Sequence, residues 1–273
     1  LLTVQNNQPI GIFDSGVGGL SITRAIHQLL PNESFIYLAD SLYAPYGNLT
    51  PKQITERVNK IAQWFINKNV KALVIACNTA TVNAIEQLRL NIKIPIIGVE
   101  PAIKPAVAQS KSNNVAIMVT QATANNDRFI NLVNRYKQGA EVYIQACPGL
   151  VEIVENDNID SKHCQDLLRQ YLTPMLNPAH QTKTTIDTVV LGCTHYPFLR
   201  EKIISLLGDN VTLIETSMPV AKQLERQLLM RQLNAVKGHI ATFKFYSSSA
   251  TKQQEKVFSL LWRKSITLRN ITI

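Results

Sequence analysis

The chain has 273 residues, 45% hydrophobic and 17% charged, enough for one large core or for two of ordinary domain size. The formal net charge is +9, but the basic residues are spread out, with no long block of like charge and no interleaved aromatics, which argues against nucleic acid as the main partner. No apolar run approaches the roughly 18 residues of a membrane span, and Leu1 to Pro9 lack a basic stretch followed by an apolar core, so a cytoplasmic protein is expected.

Short β-branched runs alternate with stretches of helical period along the whole chain. The first, Ile10 to Phe13, leads into Asp14-Ser15-Gly16-Val17-Gly18-Gly19. With Asp40 at the end of the next run, this invites a reading as a dinucleotide loop and a nucleotide-dependent oxidoreductase. The match fails because Ser21 stands where a third glycine belongs and Asp14 would repel a pyrophosphate. A substrate ammonium suits Asp14 better, with the glycines letting a backbone turn pass close to a small ligand. Phe35 to Ala39 leads into Asp40-Ser41-Leu42-Tyr43-Ala44-Pro45-Tyr46-Gly47, a loop whose tyrosine hydroxyl and backbone N–H groups can hold a carboxylate.

Ala72 to Ala76 ends in Cys77-Asn78-Thr79-Ala80, and Ile94 to Val99 is followed by a break at Pro101 to Pro105. Val115 to Val119 comes next, then Glu141 to Ala146 leading to Cys147 and Glu155. Thr188 to Gly192 ends in Cys193-Thr194-His195-Tyr196, and Val211 to Ile214 precedes a second break at Thr216 to Pro219. At each break a proline suits the first position of a helix. Strands apolar on both sides of the pleat need helices on both faces, which is the α/β architecture with parallel sheets.

The segments ending in Cys77 and Cys193 echo each other, each a buried run closing on cysteine and small polar residues. Two similar α/β domains are therefore expected, each presenting a cysteine at a strand's carboxyl end, across a cleft. The four cysteines, Cys77, Cys147, Cys164 and Cys193, include no C-x-x-C pair and read as free thiols. His27, His163, His180 and His239 have no ligand spacing, so no metal is expected. Helix N-terminal N–H groups should lower the pKa of a strand-end thiol. Two facing thiols suit inversion of a carbon centre: one thiolate removes a proton while the other thiol delivers one from the opposite face. Asn78, Thr79 and Thr194 are donors for the carboxylate that becomes enolate-like. His195 and Glu155 are placed to tune Cys193.

The strings DSGVGGL, ADSLYAPYG, ACNTA, GVEPA and LGCTHYP, in this order over most of the chain, closely resemble those of the glutamate racemases, and more distantly the wider aspartate/glutamate racemase superfamily. The resemblance implies two pseudo-symmetric three-layer α/β/α domains, 1–100 plus 215–273 and 101–214, with the active site between them. It implies no pyridoxal phosphate or other cofactor, and a product, D-glutamate, used in bacterial peptidoglycan. Cys77 and Cys193 become the acid/base pair, Asp14 assists Cys77, and His195 and Glu155 assist Cys193, with Glu152 a nearby competitor of Glu155. Substrate glutamate is held by Asp14, Ser15, Tyr46, Gly47, Asn78, Thr79, Thr194 and His195. Val119 to Phe129 follows the family only loosely, so its threonines are left out. Aspartate is the alternative substrate. The resemblance also leaves room for a homodimer and for activation by a peptidoglycan precursor. A basic nucleic-acid or partner-binding protein is the non-enzymatic rival.

Overall fold

The computed structural model describes residues 7–176 and 185–273, so His180 lies outside the described residues. Four strands, β1 (Ile10–Asp14), β2 (Phe35–Ala39), β3 (Ala72–Ile75) and β4 (Ile96–Gly98), belong to one sheet; β5 (Asn114–Val119), β6 (Glu141–Ala146), β7 (Thr188–Leu191) and β8 (Thr212–Ile214) form a second. Two later strands, β9 (Phe243–Ser247) and β10 (Leu268–Asn270), extend the first sheet beyond β2. The orders are β10-β9-β2-β1-β3-β4 and β6-β5-β7-β8, and every pairing is parallel.

The two halves are thus the same device: β2-β1-β3-β4 and β6-β5-β7-β8 have one topology. In such a sheet the order reverses between its two central strands, and a crevice opens outside their carboxyl ends. Residues that follow β1 and β3, and their equivalents after β5 and β7, are therefore the ones delivered to a binding site.

The helices are α1 (Leu20–Leu29), α2 (Pro51–Asn67), α3 (Asn78–Asn91), α4 (Ile103–Gln109), α5 (Gln121–Ala124), α6 (Asp127–Tyr136), α7 (Leu150–Glu155), α8 (Lys162–Leu176), α9 (Arg200–Leu207), α10 (Ser217–Met230) and α11 (Lys252–Trp262). Strand alternation sends Phe13, Ile36, Leu38, Leu73 and Ile75 to a core under α2 and α3. Ile10, Ile12, Tyr37 and Val74 go to the opposite face, under α1, α10 and α11. In the second sheet Val115, Ile117 and Val190 pack under α4 and α6, while Met118, Val189 and Leu191 face α7, α8 and α9. This last core is continuous with the one under α1, so one apolar body joins both halves. No described helix is long and apolar enough to cross a membrane.

Pro105 and Pro219 stand third in α4 and α10 rather than first. That position serves equally, because the N–H of any residue in the first turn lacks an intrahelical acceptor. From the strand membership of the two sheets we propose the division into 1–100 plus 215–273 and 101–214.

Candidate active site

Asp14 closes β1 and Cys77 follows β3, so the pairing of these strands places them side by side. Cys77 is the N-cap of α3, and its sulfur accepts the Ala80 N–H at 3.4 Å. The thiol in turn donates to Ser15 Oγ at 3.6 Å. Burial first, then the Asp14 carboxylate, push its pKa up to about 12 against those N–H and hydroxyl contacts. The expectation of a thiol lowered by the helix N-terminus is thus reversed at Cys77: desolvation outweighs one N–H. In the structure Cys77 is a thiol at neutral pH.

Cys193 follows β7, the strand equivalent to β3, and stands 3.7 Å from His195 Nδ1. His195 Nε2 is 2.6 Å from Glu155 Oε1, an oxygen that also accepts the Val17 N–H at 2.7 Å. Burial works against charge on this imidazole, but the bonds to Cys193 and Glu155 more than offset it and hold its pKa well above the ordinary histidine value. An imidazolium facing a sulfur stabilises a thiolate there. Glu155 on α7, and not Glu152, meets His195; Glu152 faces a separate, open cleft that Glu155 also borders.

The glycine loop has a purpose different from the one its spacing suggests. A Cβ at Gly16 would lie 1.7 Å from Glu155 Oε1, and one at Gly18 would lie 2.4 Å from His195 Nδ1. These glycines let the loop pack directly on the His195 and Glu155 pair, and leave no room for a pyrophosphate.

One small cavity of about 10 Å³, room for about one water molecule, collects the remaining residues: Ser15, Pro45, Tyr46, Gly47, Cys77, Asn78, Thr79, Thr120, Val151, Cys193, Thr194 and His195 line it. Asn78 is buried with both polar atoms of its amide unpartnered, an arrangement that is costly unless a ligand completes it.

Two expected substrate contacts, those of Asp14 and the Tyr46 hydroxyl, are placed otherwise. Asp14 stands behind the cavity wall, its carboxylate accepting the Gly16 N–H at 2.8 Å and the Thr194 hydroxyl at 2.9 Å. Burial raises its pKa, opposed by the His195 charge. Glu155 likewise reaches the cavity only through His195. The Tyr46 hydroxyl points away, donating to Asp40 at 2.6 Å, so it is not free for a carboxylate. Thr120, omitted from the sequence-based set, lines the cavity, its hydroxyl 2.9 Å from that of Thr79 and 3.0 Å from that of Thr123. Its signal was positional: it follows β5 as Ser15 follows β1.

The profile of the Asp/Glu/Hydantoin racemase family matches residues 10–223. A glutamate racemase of Ralstonia pickettii (strain 12J) is 44% identical over 247 residues, which cover 90% of this chain and 85% of that relative. The chain belongs to the glutamate racemases of this family. Solved glutamate racemases share its fold. An isoform from Bacillus anthracis superposes with a TM-score of 0.88 at 28% identity, covering 98% of each chain. The Escherichia coli enzyme, in complex with L-glutamate and the activator UDP-MurNAc-ala, gives a TM-score of 0.83 at 30% identity, covering 97% of this chain and 98% of that one. Two parallel sheets with one topology are thus the framework of a glutamate racemase, an isomerase.

Proposed function

We propose that this racemase interconverts L- and D-glutamate without a cofactor, by proton transfer at Cα between Cys77 and Cys193. What carries the reading is that the two cysteines, delivered by equivalent strands, line one small cavity. In one direction the Cys193 thiolate, stabilised by His195, takes the Cα proton while the Cys77 thiol protonates the opposite face. Each C–H or S–H bond broken is matched by one formed, and the cysteines exchange protonation states. In the other direction Cys77 is the base; the Asp14 charge beside it opposes formation of that thiolate but makes it, once formed, the more strongly basic, which is the assistance Asp14 gives. The buried Asn78 amide and the first N–H groups of α3 are the donors for the α-carboxylate, on which enolate charge develops. Ser15, Thr79, Thr194 and the backbone at Tyr46 and Gly47 complete the binding set, to which Thr120 is added.

Purified protein given L-glutamate and no cofactor should lose optical rotation to zero; no change would overturn the proposal, and conversion of aspartate alone would replace the substrate. Cytoplasmic location, supply of D-glutamate for peptidoglycan and a homodimer belong to the same proposal. They rest on the relatives and on the resemblance.

Activation by a precursor is favoured by a specific observation. A large, mainly cationic hollow of about 750 Å³ lies behind the Cys193 turn, lined among others by Arg24, Arg263 and Lys264, by Arg200 paired with Glu215, and by Phe198 and Trp262. Its Ser21 donates to the Thr194 carbonyl at 3.1 Å, a direct mechanical link to the site. Aromatic surface beside several cations suits a nucleotide diphosphate such as the one bound to the Escherichia coli relative. UDP-MurNAc-ala should raise the rate, and Arg24→Glu should remove that response while leaving basal activity intact. A wild-type enzyme indifferent to the compound would eliminate the activator reading.

A further inference from the structure

One wall of the catalytic cavity is a loop, contributed by Pro45, Tyr46 and Gly47. Between β2 and α2 the chain forms only two short 3-10 turns, Ser41–Tyr43 and Tyr46–Asn48. With no ladder to hold it, its position depends on side chains. Those side chains converge on one buried ion pair at the loop's root. Asp40 is fully buried. Its Oδ2 accepts the Tyr46 hydroxyl at 2.6 Å and Arg57 Nε at 3.0 Å, and its Oδ1 accepts Arg57 Nη2 at 2.6 Å. The same guanidinium lies 4.0 Å over the Tyr43 ring and donates through Nη1 to the main-chain oxygen of Ile273 at 2.7 Å. Arg57 therefore ties α2 directly to Asp40 and Tyr43, and through Asp40 to Tyr46.

On its other side the loop meets the second sheet's half of the site. A Cβ at Gly47 would be in ordinary van der Waals contact with Thr120 Cβ, at 3.4 Å, so the loop stands about one methyl group away from the residue that follows β5. The distance between this wall and the cysteines is thus set from one end by Thr120 and from the other by the ion pair. A bidentate arginine and carboxylate pair is geometrically stiff, which a lysine cannot reproduce. A buried ion pair is weak evidence of stabilisation but a sound means of fixing one arrangement among several.

We propose that Asp40 and Arg57 are positioning residues for substrate binding, fixing the Pro45–Gly47 wall against the carboxylate end of the substrate. The inference rests on the racemase reading above and adds to it a pair that lies outside the cavity. Neither residue touches substrate; they act through Tyr46 and the backbone of Gly47.

The test is steady-state kinetics of Arg57→Lys and Tyr46→Phe beside the wild type, with thermal midpoints recorded. Arg57→Lys should raise KM for L-glutamate about tenfold with kcat within about threefold of wild type, the signature of lost binding geometry rather than lost chemistry. Tyr46→Phe, which leaves the ion pair whole and removes one bond to it, should raise KM in the same sense by less. A wild-type KM in folded Arg57→Lys, or a fall in kcat at constant KM, would overturn the proposal. If Arg57→Lys does not fold, Tyr46→Phe decides, and a wild-type KM there overturns it. An inactive wild type would instead remove the racemase reading itself.

Discussion

Cys77→Ser and Cys193→Ser should each lower glutamate racemisation by at least about a thousandfold in both directions, a loss within the range that one positioned acid or base contributes. A serine hydroxyl is nearly isosteric but far less acidic, so it neither accepts the Cα proton as a stable anion nor returns one at a useful rate. Both losses extend to both directions because each direction uses one cysteine as base and the other as acid. Folding should survive. Serine at 77 remains a favourable N-cap acceptor for the Ala80 N–H, and Cys193 lies in a polar setting beside His195 and Thr194. Activity above a tenth of wild type in either folded variant, measured by polarimetry, would defeat the two-thiol mechanism.

Glu155→Gln should lower kcat by about a hundredfold, within the general acid–base range, and shift the alkaline limb of the pH profile to lower pH. The sign follows from His195. Burial opposes its charge, and the bonds to Cys193 and Glu155 more than compensate, so its pKa is raised in the folded protein. With the Glu155 charge gone, the imidazolium loses its proton at a lower pH, and the support it gives the Cys193 sulfur ends sooner. The same linkage affects stability. A raised histidine pKa contributes stability that is complete below the unfolded value of about 6.5 and is lost as pH rises through the folded value. The variant should lose this contribution mainly on the acid side. Glu152→Gln is the control, expected to leave the pH profile in place because Glu152 does not meet His195. Equal effects of the two substitutions on the profile would contradict the assignment of Glu155.

Much of the framework was legible because buried parallel strands read as short apolar runs. All eight runs from Ile10 to Ile214 correspond to β1 through β8 within a residue or two. β9 and β10 were not legible. Phe243–Ser247 carries Lys244 among its aromatics, and Leu268–Asn270 is three residues with only Leu268 buried, so neither shows the apolar continuity of a central strand. At the site, Cys77 and Cys193 stood out because strand-end cysteines followed by polar residues are poor core material. What sequence could not supply was side-chain reach across the fold. The engagement of Asp14 by Thr194, the distance between positions 14 and 194 notwithstanding, exists only once the halves are packed. Burial of Cys77 overrides the local effect of its helix, and the partners of Gly16 and Gly18 are residues from the other half. Thr120 was hidden by a loosely matching segment, although its place after β5 was implied by the repeat.

The central claim is that two different groups serve the two faces of Cα, and it is tested most directly by racemising L-glutamate in D₂O and stopping at low conversion. Mass spectrometry of the separated enantiomers should find deuterium at Cα of nearly all the D-glutamate formed and almost none in the remaining L-glutamate. Each face then has its own proton donor, as Cys77 and Cys193 require. Deuterium accumulating in the residual L-glutamate as fast as in the product would mean that one base serves both faces, and would contradict the account.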